Sequence, residues 1–348
     1  MREIKIGVIG CGGIAQWAHL PVLTGPDVLM PEEPIPGKST AEMMAEAEIV
    51  PRVVALCDIR EELLRSVGDR YRIDRRFTDY RELLEQVDIE AVLVLAGHKV
   101  NYEVIPLAVE KGKHIFVEKP MTGTLEEALE VERIVKGSGI VFQVGFMRRF
   151  YFAYREAKRM IEGGEIGEIQ ALGGRFWSGR LDDLLNNGVH IFDIVQFFGR
   201  RAAEVYAKAK GNHIALTIGF EGGVVGNLFL SDTSWNHSVH ERLEIAGSDG
   251  RTLVAENGRR LWMYAPRGSE SIFDLSGEPA RFWEPPQVVH AITGYNLAGF
   301  AGEHKHFLRC IASGTNSSVG VEAGVDSIRL KEGVERSLET GKVVRLLT

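Results

Sequence analysis

Val117-Glu118-Lys119-Pro120 ends an apolar run in a lysine held against a proline. Far upstream, Gly10-Cys11-Gly12-Gly13-Ile14-Ala15 fits G-x-G-x-x-G/A. In such a loop the first glycine allows a tight turn and the second lets the backbone approach a pyrophosphate. The small third residue, here Ala15, lets the new helix pack close to its strand. The amides of that helix then face the phosphate charge. A lysine at the carboxyl end of a later strand falls in the crevice where open parallel sheets bind ligands. Together the two motifs point to a nicotinamide cofactor with a cation aimed at the reacting oxygen.

Residues 51–58 read as the second strand, ending in Asp58. A carboxylate there can bond the adenosine ribose hydroxyls and repel a 2′-phosphate, which favours NAD. NADP stays open, because the nearby Arg60 can receive that phosphate. Asp58 also reads as the N-cap of a helix begun by Glu61-Glu62-Leu63-Leu64. The usual spacing from glycine loop to acid is about twenty residues, and here it is much longer. The excess is residues 25–49, a Pro-rich stretch and a short helix over Thr40–Glu48, read as an insertion. An interface element, a cofactor cover and a solvated excursion all fit it.

The elements that must position these residues alternate. Ile4–Ile9 and Ala91–Ala96 read as strands, Asn101–Lys111 as a helix, and His114–Val117 as the strand leading to Lys119. Leu125–Lys136 reads as a helix and Ile140–Val144 as a strand. That order means a parallel sheet with helices on both faces. Residues 203–230 and 241–264 read as successive strands with Gly-rich turns, followed by helices over 296–312 and 321–339. The fold class is therefore α/β, with a Rossmann domain over 1–145 and a second α/β domain over 146–348.

With 348 residues, the chain has the length of two domains. A net charge of −7 without a Lys or Arg block argues against nucleic acid as a partner. No apolar stretch suits a bilayer, and nothing at the N-terminus reads as a signal peptide. Cys11, Cys57 and Cys310 are scattered, as suits reduced thiols in a cytoplasmic protein. Glu303, His304 and His306 show no metal-ligand spacing, so no metal site is expected.

The motifs in order resemble the glucose–fructose oxidoreductase, inositol dehydrogenase and rhizopine-catabolism (Gfo/Idh/MocA) family. They are the glycine loop, Gly112-Lys113-His114, Glu118-Lys119-Pro120, Gly145-Phe146-Met147-Arg148-Arg149-Phe150 and Gly163-Gly164-Glu165-Ile166-Gly167-Glu168-Ile169. Gly188-Val189-His190-Ile191-Phe192-Asp193 and Ser337-Leu338-Glu339-Thr340-Gly341-Lys342-Val343-Val344 complete the set. The resemblance implies an NAD(P)-dependent oxidoreductase acting on a secondary hydroxyl of a sugar, sugar derivative or cyclitol. It also implies a second domain with a large, open, mainly antiparallel sheet that packs against another subunit, making a homo-oligomer (a dimer or tetramer). In the family, a lysine and a histidine at the positions of Lys119 and His190 flank the substrate carbon. Oxidation needs a base for the hydroxyl proton, worth about 10²–10⁴-fold, and a cation beside the developing alkoxide lowers the barrier further. The Lys119–Pro120 bond is implied to be cis. Cofactor contacts are expected from Gly10, Gly12, Gly13, Ile14, Ala15, Asp58, Ile59, Ala96, Gly97, His98, Asn101, Glu118 and Lys119.

The chain departs from the family at three places. Asn186 stands four residues before His190, where the family commonly has Asp. Asparagine can orient an imidazole but cannot stabilise imidazolium by charge, and in a protease triad the comparable exchange costs about 10⁴ in rate. Asp193 lies within helical reach of His190 but is expected to cap or pair elsewhere. Ala96-Gly97-His98-Lys99-Val100-Asn101 replaces the usual Thr-Pro-Asn-x-x-His, and the Phe176–Asn186 segment is short. Arg149 is expected to meet an anionic substrate such as a uronate, with a structural role at the domain junction weighing equally. Two alternatives remain: a cofactor-binding regulatory protein without turnover, and an NAD-assisted glycoside hydrolase or lyase.

Overall fold

The computed structural model describes residues 2–26, 28–29, 48–177, 184–232, 240–266, 279–284 and 298–346. The expected helix over Thr40–Glu48 apart from Glu48 itself, most of the 25–49 insertion and most of the Phe176–Asn186 segment lie outside them.

The chain divides into two compact units. In the first, six parallel strands run in the order β3-β2-β1-β4-β5-β6. They are β1 (Arg2–Ile9), β2 (Ile49–Cys57), β3 (Arg75–Phe77), β4 (Ala91–Val94), β5 (His114–Val117) and β6 (Phe142–Val144). β4 and β6 are buried along their whole length, and β5 is buried after His114, as befits strands covered on both faces. The order reverses between β1 and β4, which is where a doubly wound sheet opens its ligand crevice. The strands end in register there. Ile9 pairs with both Cys57 and Val94, and Val94 pairs with Val117.

The helices of this unit are α1 (Leu20–Thr24), α2 (Glu61–Tyr71), α3 (Tyr80–Gln86), α4 (His98–Glu110) and α5 (Leu125–Val135). A π-helical turn over Ala15–His19 precedes α1. The helix α5 opens with a capping box between Thr124 and Glu127, so two orphan amides are satisfied reciprocally.

A later piece of the chain returns to this unit. In α8 (Phe300–Ser313), the residues Phe300, Ala301, Phe307, Leu308 and Ile311 join the core formed by β1, β4 and β5. Gln143 of β6 donates to the Glu303 carbonyl at 2.8 Å, and the Val144 amide donates to the Val319 carbonyl at 3.0 Å. The first unit is therefore discontinuous in sequence, whereas the motifs place all of 146–348 in the second domain.

In the second unit nine strands run in the order β14-β13-β12-β11-β7-β10-β9-β8-β15. The pair of β7 (Ile169–Trp177) with β10 (Val225–Ser231) is parallel. The other pairs, through β8 (Ala202–Lys210), β9 (His213–Phe220), β11 (His240–Gly247), β12 (Thr252–Glu256), β13 (Arg260–Tyr264), β14 (Arg281–Trp283) and β15 (Val344–Arg345), are antiparallel. Burial alternates along β9 and β10, so one face meets the core and the other faces outward. The helices α6 (Phe152–Glu162) and α7 (Leu184–Gly199) lie on the inner face. The last helix, α9 (Val321–Thr340), adds Leu330 and Val334 to the same core.

Candidate active site

At the end of β1 the chain turns through Gly10, whose φ is +99°. A Cβ there would stand 2.8 Å from the Leu95 carbonyl carbon, so the turn requires glycine for both conformation and space. The Gly10 amide donates to the Cys57 carbonyl at 2.8 Å, and the Leu95 amide to the Ile9 carbonyl at 2.7 Å. These bonds bring the ends of β1, β2 and β4 together. Gly12 and Gly13 remain partly exposed, Ile14 is half-buried, and Ala15 packs into the core.

Asp58 sits at the tip of β2. Its carboxylate accepts the Cys11 amide at 2.8 Å, the Arg60 amide at 3.0 Å, and the Arg60 Nε and Nη2 at 3.0 Å each. Burial pushes this carboxyl up, but the bonds from Arg60 and Cys11 outweigh it and hold the group below its usual range. It does not cap the next helix, because α2 takes Arg60 as its N-cap residue without a side-chain bond. Arg60 lies 61% exposed on the outer side of the pair, and Ile59 is 85% exposed beside it. The thiols of Cys11 and Cys57 are free and buried, and desolvation pushes both up to about 12.

Beyond β4, Ala96 and Gly97 are exposed, with Gly97 at φ +90°, and His98 starts α4. The His98 ring lies near Gly123, where an added Cβ would come within 3.1 Å of it. Asn101, expected from the sequence to contact a cofactor, has a different place. It is fully buried, and its amide nitrogen donates to the carbonyls of Glu118 at 2.9 Å, Pro120 at 3.2 Å and Met121 at 3.3 Å. The side chain points inward from α4 because the turn after β5 needs donors for carbonyls that no strand pairs.

Lys119 is half-buried at that turn, and the Lys119–Pro120 peptide is cis. Glu118 is buried beneath it. One carboxylate oxygen accepts the Lys119 amide at 2.9 Å, and the other contacts His19 Nε2 at 2.9 Å. The lysine therefore projects from a backbone gripped on two sides, by Asn101 through carbonyls and by Glu118 through an amide. Gly145 makes room for this, since a Cβ there would meet Glu118 and Phe116 at 3.2 Å.

In the second unit His190 is 7% exposed on α7, amid Val189, Ile191, Phe192, Ile194 and Val195. Asn186 falls on the first turns of the same helix, and its side chain lies outside the described residues. Asp193 pairs with Arg149, as the sequence suggested it would pair away from His190. The guanidinium reaches both carboxylate oxygens, at 2.8 and 2.5 Å, and lies 5.0 Å from the centre of the Phe197 ring. For Arg149 the sequence left an anionic substrate and a structural role equally open. This bidentate, nearly buried pair takes up its planar donor edge, as buried charge requires. Arg148 is similarly buried against Glu241, at 3.1 Å, and Tyr154 donates to the same carboxylate at 3.0 Å.

Sequence reasoning missed a buried group beneath the Lys119 turn. His19, Glu303 and His304 are all inaccessible to solvent, and they come together although nearly the whole chain separates them. His304 occupies the apolar stripe of α8, four residues after Phe300 and three before Phe307. A polar side chain on an apolar stripe was the available signal.

Residues 4–146 match the family described as "Oxidoreductase family, NAD-binding Rossmann fold", and residues 154–253 match the "GFO/IDH/MocA C-terminal domain". The scyllo-inositol 2-dehydrogenase (NAD(+)) of Bacillus subtilis (strain 168) is 28% identical over 306 residues, covering 76% of this chain and 81% of that protein. The myo-inositol 2-dehydrogenase of Thermotoga maritima is 24% identical over 323 residues, covering 84% and 90%. Among solved structures, levoglucosan dehydrogenase in complex with NADH and L-sorbose superposes with a TM-score of 0.83 at 20% identity, covering 100% of both chains.

Proposed function

Since the chain belongs to the Gfo/Idh/MocA oxidoreductase family, with its NAD-binding Rossmann fold, we propose that it oxidises a secondary hydroxyl of a sugar, sugar derivative or cyclitol, or runs the reverse reduction. The observation that carries this reading is the grip on Lys119. Asn101 and Glu118 fix its backbone at the carboxyl edge of the sheet, level with the glycine loop and Asp58. The named relatives, two inositol dehydrogenases and a levoglucosan dehydrogenase, support the substrate class.

The residues fit NAD. Gly10 and Gly12 leave open backbone for a pyrophosphate, and Asp58 offers carboxylate oxygens to ribose hydroxyls once the exposed Arg60 swings aside. The exposed Ile59 provides an apolar surface for adenine. Bound NAD supplies the hydride acceptor. Lys119 holds positive charge beside the substrate oxygen as it loses its proton. His190 takes that proton, with Asn186 as its orienter. The buried Arg149–Asp193 pair steadies α7 behind the histidine. We place the chain in the cytoplasm, where its three unpaired thiols stay reduced. Among the described residues no helix is long and apolar enough to cross a membrane.

The test starts from native purified protein, analysed by mass and absorbance for bound NAD(H) or NADP(H). It is then mixed with a panel of sugars, uronates and cyclitols, with Lys119→Ala in parallel. We expect a panel member to reduce bound NAD in the wild type, and a rate lower by about 10²-fold or more in the variant. Equal rates in the two proteins would remove Lys119 from the mechanism. Bound cofactor that no panel member reduces would favour a regulatory role.

A further inference from the structure

We propose that His19, Glu303 and His304 form a binding site for one divalent first-row transition-metal ion, zinc by ligand preference, buried beneath the Lys119 turn. The three residues offer two imidazole nitrogens and a carboxylate oxygen, all within 4.8 Å of one another. His19 Nδ1 and His304 Nε2 face each other at 2.8 Å. A tetrahedral ion holds such atoms about 3.3 Å apart, at bonds of about 2.0–2.1 Å. Small side-chain adjustments therefore bring the set onto an ion.

Both oxygens of the Glu303 carboxyl are buried without a hydrogen-bond partner, and so is His304 Nδ1. Orphaned polar atoms at zero exposure are costly, and a carboxyl with no donor nearby is explained by a ligand. No Lys or Arg pairs with Glu303 among the described residues, and burial first, then the Glu118 carboxyl beside it, push this carboxyl well above its usual range. With Glu303 and Glu118 both ionised around a bound ion, the two carboxylates would match the charge of one divalent cation.

The hydrogen-bond directions agree. A carboxylate only accepts, so His19 must donate Nε2–H to Glu118. Its Nδ1 is then an acceptor, met at 2.8 Å by His304 Nε2–H, and an ion would take the place of that proton between the two nitrogens. A metal-bound histidine that donates its other nitrogen to a carboxylate is the usual outer arrangement of such centres. Here the outer carboxylate is Glu118, whose second oxygen accepts the Lys119 amide. The ion touches no substrate. It anchors the chain of contacts from α8 through His19 and Glu118 to the lysine backbone. Two imidazoles with one carboxylate suit zinc and its neighbours over calcium or magnesium.

The site is tested on the untagged 348-residue chain, expressed with added zinc or added cobalt and purified without chelator. We expect elemental analysis to find about one equivalent of metal per chain. The cobalt form should show visible absorption bands of a low-symmetry ion held by nitrogen and oxygen donors. Glu303→Gln keeps the shape and removes the charge, and it should lose the metal while retaining the wild-type circular dichroism spectrum. Less than about a tenth of an equivalent in the wild type under both growth conditions would overturn the site. So would a folded Glu303→Gln protein that holds as much metal as the wild type. Should that variant fail to fold, the wild-type content and cobalt spectrum decide alone.

Discussion

Asn101 shows how far a residue's role depends on what lies opposite it. Its place after the β4 loop suggests a cofactor contact, yet its amide serves three carbonyls around Lys119. Replacing it by leucine leaves those carbonyls without their buried donor, at a cost of about 1–3 kcal/mol. Misplacing the lysine by an ångström costs about 10²-fold in kcat. The expected outcome for Asn101→Leu is therefore a lower melting temperature and a reduced kcat, with NAD affinity unchanged. A variant whose defect lies in NAD affinity, with kcat intact, would restore the cofactor role. Arg149 tells a parallel story. A guanidinium in sequence looks ready for an anion, but its two-pronged bond to Asp193 leaves that edge occupied.

At the scale of elements, the site is a row of strand ends. Successive strands finish level with one another, so Gly10, Asp58 and Glu118 follow directly on paired residues and Ala96 stands one residue further on. Gly10 is the tightest point of that row. Gly10→Ala imposes a backbone conformation costing about 1–3 kcal/mol and a clash with Leu95. It should lower the melting temperature and abolish NAD binding measured by fluorescence titration. Wild-type affinity in the alanine variant would show that the loop has room that its geometry denies. The existence of these elements was readable from apolar runs and glycine punctuation. Their ends were not. His190 stands inside α7, which starts at Leu184, and no local signal marks that start.

For the whole molecule, the outward face of the second sheet carries exposed apolar side chains. Tyr206, Val225 and Phe229 are 37%, 54% and 36% exposed on this face, and Tyr206 and Phe229 line a hollow of about 550 Å³ together with Arg175, Lys208 and Arg242. Apolar side chains clustered on an exposed sheet mark an interaction surface, and we expect a second copy of this chain to cover it. Light scattering should give a multiple of the 38.6 kDa chain mass, and Phe229→Asp should shift the protein toward monomer. A wild type that runs as a monomer at micromolar concentration would sink this expectation.

The sequence by itself determined the dinucleotide fold, the lysine at the strand end and the family. These rest on local signals, namely turn glycines, apolar runs and motifs whose order along the chain is itself information. Tertiary structure alone decided which polar groups meet. It returned residues 298–328 to the first unit, set His304 against His19 and turned Asn101 inward. Such contacts join residues far apart in the chain, and no periodicity records them. They follow from how helices and strands pack, which depends on every side chain at the interface at once.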